Sequence, residues 1–155
     1  YKINPNYITL GGGSAGAITA ITLGISNQED YRDEINKTID NTLSTTNLEQ
    51  SYQVKTILDF WGSKIALDAL EKIYGLDRFG SKNPSLFITH GTDDSVVLFS
   101  HAENLKKIYE DNKVPYTFYP FEGYGHGCWN ATFDGKRLEK LAFDFIVEQQ
   151  KLILE

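Results

Sequence analysis

The spacing of apolar residues switches along this chain between the period of a strand and that of a helix. Tyr7, Ile8, Thr9 and Leu10 form a short β-prone run, which Gly11, Gly12 and Gly13 are expected to end, since glycine weakens strands and helices alike. From Ser14 to Leu23 the residues are small and apolar (Ala15, Ala17, Ile18, Ala20, Ile21, Leu23), which suits a helix buried on most sides. Residues 27–50 then turn polar and acidic. They read as a surface insertion with one short helix around Tyr31–Thr38. Val54 to Phe60 is the next strand. A helix follows from Gly62-Ser63, with Ile65, Leu67, Leu70, Ile73 and Tyr74 apolar and Gly75 as its stop.

The second half repeats this rhythm. Ser85 to Thr89 is a short apolar strand, and His90-Gly91-Thr92-Asp93-Asp94 follows as loop. Ser100 and Glu103 have the spacing of a capping box, ahead of a helix with Ala102, Leu105, Ile108 and Tyr109 on one face. Pro115 precedes a strand over Tyr116–Tyr119. A loop with Gly123, Gly125, His126 and Gly127 comes next, and a last helix from Lys136 keeps a three-to-four spacing through Leu138, Leu141, Ala142, Phe145, Ile146, Leu152 and Ile153. Strand and helix alternate throughout. That order predicts an α/β fold: a parallel sheet with right-handed crossovers and helices on both faces. Sheets of this kind carry their functional loops at the C-terminal ends of the strands. Gly11–Ser14, His90–Asp94 and Gly123–Gly127 all fall there.

Composition narrows the class. With 155 residues, 41% of them hydrophobic, the chain suits one globular domain over 1–155 and is too rich in core-formers for disorder. No run reaches the roughly 18 apolar residues of a membrane-spanning helix. Fifteen basic against 21 acidic residues give a net charge of −6 with no basic run, which argues against a nucleic-acid partner. A single cysteine, Cys128, allows neither an internal disulfide nor a cysteine-based zinc knuckle, and it reads as a small packed residue. The absence of Met, even at position 1, is what a chain that does not begin where its gene begins would show.

The glycine-rich turn fits two chemistries. Gly11-x-Gly13-x-x-Gly16 fits a dinucleotide turn, which would make this a nucleotide- or flavin-binding module. Gly12-x-Ser14-x-Gly16 fits a nucleophile elbow, in which a serine is held exposed between a strand and a helix. The dinucleotide site wants a second apolar strand close behind the first helix, and GISNQEDYRD is not one. The elbow instead demands an acid after a later strand and then a histidine after a still later one. Asp94 follows SLFIT and His126 follows YTFY, so both demands are met in order. Asp93 is the rival acid. Ser14 would equally suit a helix N-cap, and His90 and His101 are weaker candidates for the base.

At these residues the chain resembles the α/β-hydrolase fold, and within it the carboxylesterase- and lipase-like serine hydrolases. Gly12-Gly13-Ser14-Ala15-Gly16, His90-Gly91-Thr92-Asp93-Asp94 with Val96-Val97, and Gly125-His126-Gly127 carry the resemblance. It implies Ser14 as nucleophile, His126 as base and Asp94 as the orienting acid, with no metal and no cofactor. It implies the Ala15 backbone N–H as one oxyanion donor, and a second from a Gly-rich loop on an earlier strand that this sequence does not contain. A small-molecule carboxylic ester is the substrate it suggests, held near Trp61, Tyr124 and Trp129. On the same basis the four strands are expected to be the last part of an eight-stranded sheet, with the Tyr7–Leu10 edge covered by preceding strands or a partner chain. A non-catalytic interaction domain on a hydrolase scaffold is the remaining alternative.

Overall fold

The structure is a computed structural model that describes residues 4–31, 38–45 and 50–154. Four strands form one parallel sheet: β1 (Ile8–Gly13), β2 (Val54–Phe60), β3 (Ser85–Gly91) and β4 (Tyr116–Phe121), in that spatial order. Helices α1 (Ala15–Ile25), α2 (Ile65–Tyr74) and α3 (Ser100–Asp111) connect successive strands, and α4 (Leu138–Gln150) follows the last. Every crossover steps the same way across the sheet, so right-handed connections deliver α1, α2 and α3 to a single face. There Ile21, Leu67, Leu70, Leu105 and Tyr109 pack with Ile57, Leu86 and Ile88. Helix α4 covers the opposite face, where Leu141, Ala142 and Phe145 meet Phe60 and Phe87. Strand alternation does the sorting: Leu86 and Ile88 join one core while Phe87 between them joins the other. The α/β architecture with helices on both faces is thus the observed one.

The end of α4 is held by a small polar network. Gln150, buried despite its amide, donates from Nε2 to Thr9 Oγ1 at 2.7 Å and to Thr56 Oγ1 at 2.9 Å. These two hydroxyls also pair with each other at 2.7 Å, which ties β1 to β2 beneath the helix.

Element ends depart from the expectation in several places. Strand β1 runs on through Gly11–Gly13, which pair with Leu58, Asp59 and Phe60. Glycine is kept there by close approach, since a Cβ on Gly12 would stand 2.6 Å from the Gly16 carbonyl carbon. Helix α1 starts after Ser14 and ends at Ile25. Strand β3 includes His90 and Gly91, and β4 includes Pro120 and Phe121. The lateral position of β4 in the sheet accommodates a proline. The Ser100–Glu103 capping box does not form. Phe99, already in helical conformation, is the N-cap of α3, and its carbonyl accepts from the Ala102 and Glu103 N–H groups.

Helix α4 begins at Leu138 rather than Lys136. Two short antiparallel strands precede it, β5 (Thr132–Phe133) and β6 (Lys136–Arg137), joined across Asp134-Gly135 with φ of 49° and 73°. Two positive φ values in a two-residue loop are the mark of a type I′ hairpin. The helix stops at Gln150, with Lys151 left-handed at φ 53°, so Leu152 and Ile153 lie beyond it. The short helix expected around Tyr31–Thr38 falls mainly on 32–37, outside the described residues. Short 3-10 turns stand on either side of that gap at Gln28–Tyr31 and Asn41–Thr45. Among the described residues, no helix is long and apolar enough to cross a membrane.

Candidate active site

The C-terminal ends of β1, β3 and β4 converge on one edge of the sheet, and the three candidate loops meet there. Ser14 stands between β1 and α1 with φ 55° and ψ −120°, a conformation that costs an L-residue on the order of 1–3 kcal/mol. Its backbone holds it there: the N–H donates to the Phe60 carbonyl at 2.9 Å, and the C=O accepts from Ala17 and Ile18 at 2.9 and 3.1 Å. Ser14 occupies the N-cap position of α1, yet its hydroxyl makes no capping bond. The Oγ is instead 2.9 Å from His126 Nε2.

His126 is carried across the sheet by the loop after β4. That loop crosses at Gly91, where a Cβ would stand 2.1 Å from the Tyr124 carbonyl oxygen, so only glycine lets the crossing close. The Asp93 N–H donates to the same carbonyl at 3.0 Å. The structure thus brings His126 Nδ1 to 2.8 Å from Asp94 Oδ2. Asp93, the rival acid, is exposed, while Asp94 is buried. Asp94 Oδ1 accepts the N–H groups of Val96 and Val97 at 2.8 and 3.0 Å. Burial opposes ionisation of Asp94, but the hydrogen bonds from His126, Val96 and Val97 together outweigh it and hold the carboxyl below its ordinary range. An ionised Asp94 can only accept, so Nδ1 of His126 carries the donor proton and Nε2 is left to accept from the Ser14 hydroxyl.

Two buried titratable groups lie beside this line: Asp59, which sequence reasoning missed, and His90, which it held as a weaker candidate for the base. Asp59 on β2 is fully buried, with Oδ1 accepting from the Gly62 N–H at 2.7 Å and Oδ2 without a partner; burial pushes its carboxyl up to about 7. The signal was a lone carboxylate inside VKTILDF. His90 is also fully buried, on the face of β3 that carries Leu86 and Ile88, whereas a loop position was expected. Extending the alternation of Leu86 and Ile88 by two residues would have found it. His101 lies half-buried in the first turn of α3.

Of the residues expected to wall the substrate, Trp61 is buried, Tyr124 is 42% exposed and Trp129 is 54% exposed. Trp61 and Trp129 meet edge to face with ring centroids 4.5 Å apart, and Trp61 stands edge-on to His126 at 6.5 Å. Trp61 therefore lies behind the line of polar groups, and Trp129 offers the exposed indole surface. Tyr124 packs on Phe121, at 6.0 Å between rings. Phe60 and Cys128 belong to the core under α4, and burial raises the Cys128 thiol to about 11. A separate cavity of about 630 Å³ opens near Gly24, Val54 and Arg78, and its lining includes none of Ser14, Asp94 and His126. Among the described residues, no cluster of His, Cys, Asp and Glu could hold a metal ion.

A sequence model of the prolyl oligopeptidase family matches residues 1–152. The chain belongs to that family. Solved structures place the fold of this family member among the α/β-hydrolases. It is similar to a propionate-bound thermophilic esterase from the planctomycete Thermogutta terrifontis, at 21% identity and a TM-score of 0.62 over 95% of this chain and 57% of that one. It is similar to a truncated carbohydrate esterase from gut microbiota, at 21% identity and a TM-score of 0.71 over 97% of this chain and 62% of the other. It also resembles MGS-M1, an α/β-hydrolase from a Medee basin deep-sea metagenome library, at 18% identity and a TM-score of 0.61 over 97% of this chain and 57% of that one. The chain thus spans about three fifths of the length of these relatives. The comparison with curated proteins finds no match.

Proposed function

We propose that the chain carries the catalytic line of a serine hydrolase that cleaves carboxylic esters through an acyl-enzyme. The observation that supports this best is the unbroken hydrogen-bonded series from Ser14 Oγ to His126 at 2.9 Å and from His126 to Asp94 at 2.8 Å. In this reading Ser14 Oγ attacks the ester carbonyl while its proton passes to His126 Nε2. The Ala15 N–H, at the first position of α1, faces the developing oxyanion as one donor. His126 then gives its proton to the leaving alkoxide, and the alcohol departs. Water attacks the acyl-Ser14 ester with His126 again as base, and collapse releases the carboxylic acid and restores the Ser14 hydroxyl. Asp94 fixes the tautomer throughout and balances the imidazolium.

The exposed face of Trp129 offers an apolar wall for the ester, with Tyr124 nearby on the same loop. Neither an organic cofactor nor a metal enters any step. A peptide bond is the second substrate reading, favoured by the prolyl oligopeptidase match. Labelling with a fluorophosphonate separates this reading from its non-catalytic rivals. A serine-directed phosphonyl adduct is expected on the wild type and absent from Ser14→Ala. A folded wild type that takes no label would overturn the proposal. Parallel turnover of an acetyl ester and a prolyl amide then distinguishes the two substrate classes.

A further inference from the structure

His90 is a buried imidazole to which the reaction above gives no part. Its Nε2 lies 2.7 Å from the Val97 carbonyl oxygen. A carbonyl only accepts, so Nε2 carries the ring proton. The same Nε2 stands 3.3 Å from Asp94 Oδ2, the oxygen that accepts from His126. On the far side of the ring, Nδ1 is buried without a partner, and a second proton there would have no acceptor. Burial lowers the pKa of His90, against the raising influence of Val97 and Asp94. The titratable groups whose charge reaches it are Asp94 from the loop after β3, His126 from the loop after β4 and His101 from α3. The Phe99 ring packs against it edge-on at 6.0 Å.

Val97 links the two sides of this arrangement. Its N–H donates to Asp94 Oδ1 at 3.0 Å, and its C=O is the acceptor for His90. His90 therefore pins the residue that pins Asp94, and its N–H dipole sits beside the oxygen that holds His126.

We propose that His90 is a positioning residue for the Ser14–His126–Asp94 line: a neutral, Nε2-protonated imidazole that keeps the Asp94–Val97 turn closed and sets the charge on Asp94 Oδ2. This rests on the serine-hydrolase reading. Without the His90 dipole the Asp94 carboxylate is less stabilised from behind and holds an imidazolium more strongly. The base then gives up its proton less readily, and the acidic limb of reactivity moves to higher pH.

The test is the rate of fluorophosphonate labelling of Ser14 against pH in the full chain, for wild type, His90→Phe and His90→Gln. Phenylalanine fills the site without a donor, whereas glutamine presents an amide N–H at a similar reach. In His90→Phe the acidic limb is expected to rise by about half a pH unit and the plateau rate to fall at least ~3-fold. His90→Gln should restore the limb to its wild-type position. The chain has three histidines, so a ¹⁵N spectrum resolves each ring, and His90 is expected neutral with the proton on Nε2 at neutral pH. An unmoved limb in His90→Phe, a His90→Gln profile no better than that of His90→Phe, or a His90 protonated on Nδ1 overturns the proposal. Should His90→Phe fail to fold, His90→Gln and the wild-type tautomer decide it. An unlabelled wild type sinks the serine-hydrolase reading and this proposal with it; a labelled wild type with an unmoved limb sinks this proposal alone.

Discussion

Asp59→Asn gives the sharpest stability prediction. Asp59 lies opposite Gly12 of β1 and Ile88 of β3, and burial raises its carboxyl from an ordinary 3.8 to about 7. Below about pH 4 the folded and unfolded chains both hold this proton. Between about pH 4 and pH 7 the unfolded chain releases it while the folded chain keeps it, so stability falls as pH rises. Above the folded value both states are ionised and the loss levels off. The rise from 3.8 to about 7 corresponds to about 4 kcal/mol over the whole window, and about 3 kcal/mol of it falls between about pH 4.5 and pH 8. Asparagine keeps an acceptor for the Gly62 N–H but leaves its amide nitrogen where Oδ2 has no partner, which costs about 1–3 kcal/mol at every pH. Asp59→Asn should therefore be less stable than wild type at acid pH and should gain on it by about 3 kcal/mol by pH 8. Urea unfolding followed by circular dichroism at three pH values measures this. Groups other than Asp59 titrate alike in both proteins and cancel in the difference. Parallel pH profiles for the two proteins would refute the reasoning.

Three further substitutions probe the frame around the site. Gly12→Ala forces a Cβ to 2.6 Å from the Gly16 backbone, so it should destabilise the chain by about 1–3 kcal/mol and suppress labelling of Ser14, read by melting temperature and adduct yield. Gln150→Leu removes both hydrogen bonds to Thr9 and Thr56 and should cost about 1–3 kcal/mol in urea unfolding, with the labelling rate unchanged. Asp94→Asn presents an amide N–H to His126 Nδ1 and drives the ring proton to Nε2, where it cannot accept from Ser14. The labelling rate should drop on the order of 10³–10⁴-fold with the fold retained, as judged by circular dichroism.

The parts of the fold legible in the sequence are those decided by local chemistry. The VKTILDF strand and the Gly75 stop of α2 fall where periodicity and a left-handed glycine require. The chain order Ser14, Asp94, His126 could be read because each residue follows a recognisable strand. The strand ends were harder to read. Gly11–Gly13, His90-Gly91 and Pro120-Phe121 have weak strand character of their own and are held extended by their neighbours in the sheet. The capping box did not form because Phe99 is already helical and takes the N-cap position, which leaves Ser100 inside the helix. Asp134-Gly135 is a local hairpin signal that was there to be read. The burial of Asp59 and His90 was legible in the alternation of their own strands, but how deeply each is covered depends on which helices pack on the sheet.

The central claim is that Ser14 forms a covalent acyl intermediate. Rapid-quench mass spectrometry with p-nitrophenyl acetate tests it most directly, with the acetylated peptide mapped after quenching. A burst of nitrophenol near one equivalent per chain, with the acetyl group on Ser14 and no adduct in a folded Ser14→Ala, is the predicted result. An acetyl group mapped to another residue, or a burst that survives Ser14→Ala, would contradict it.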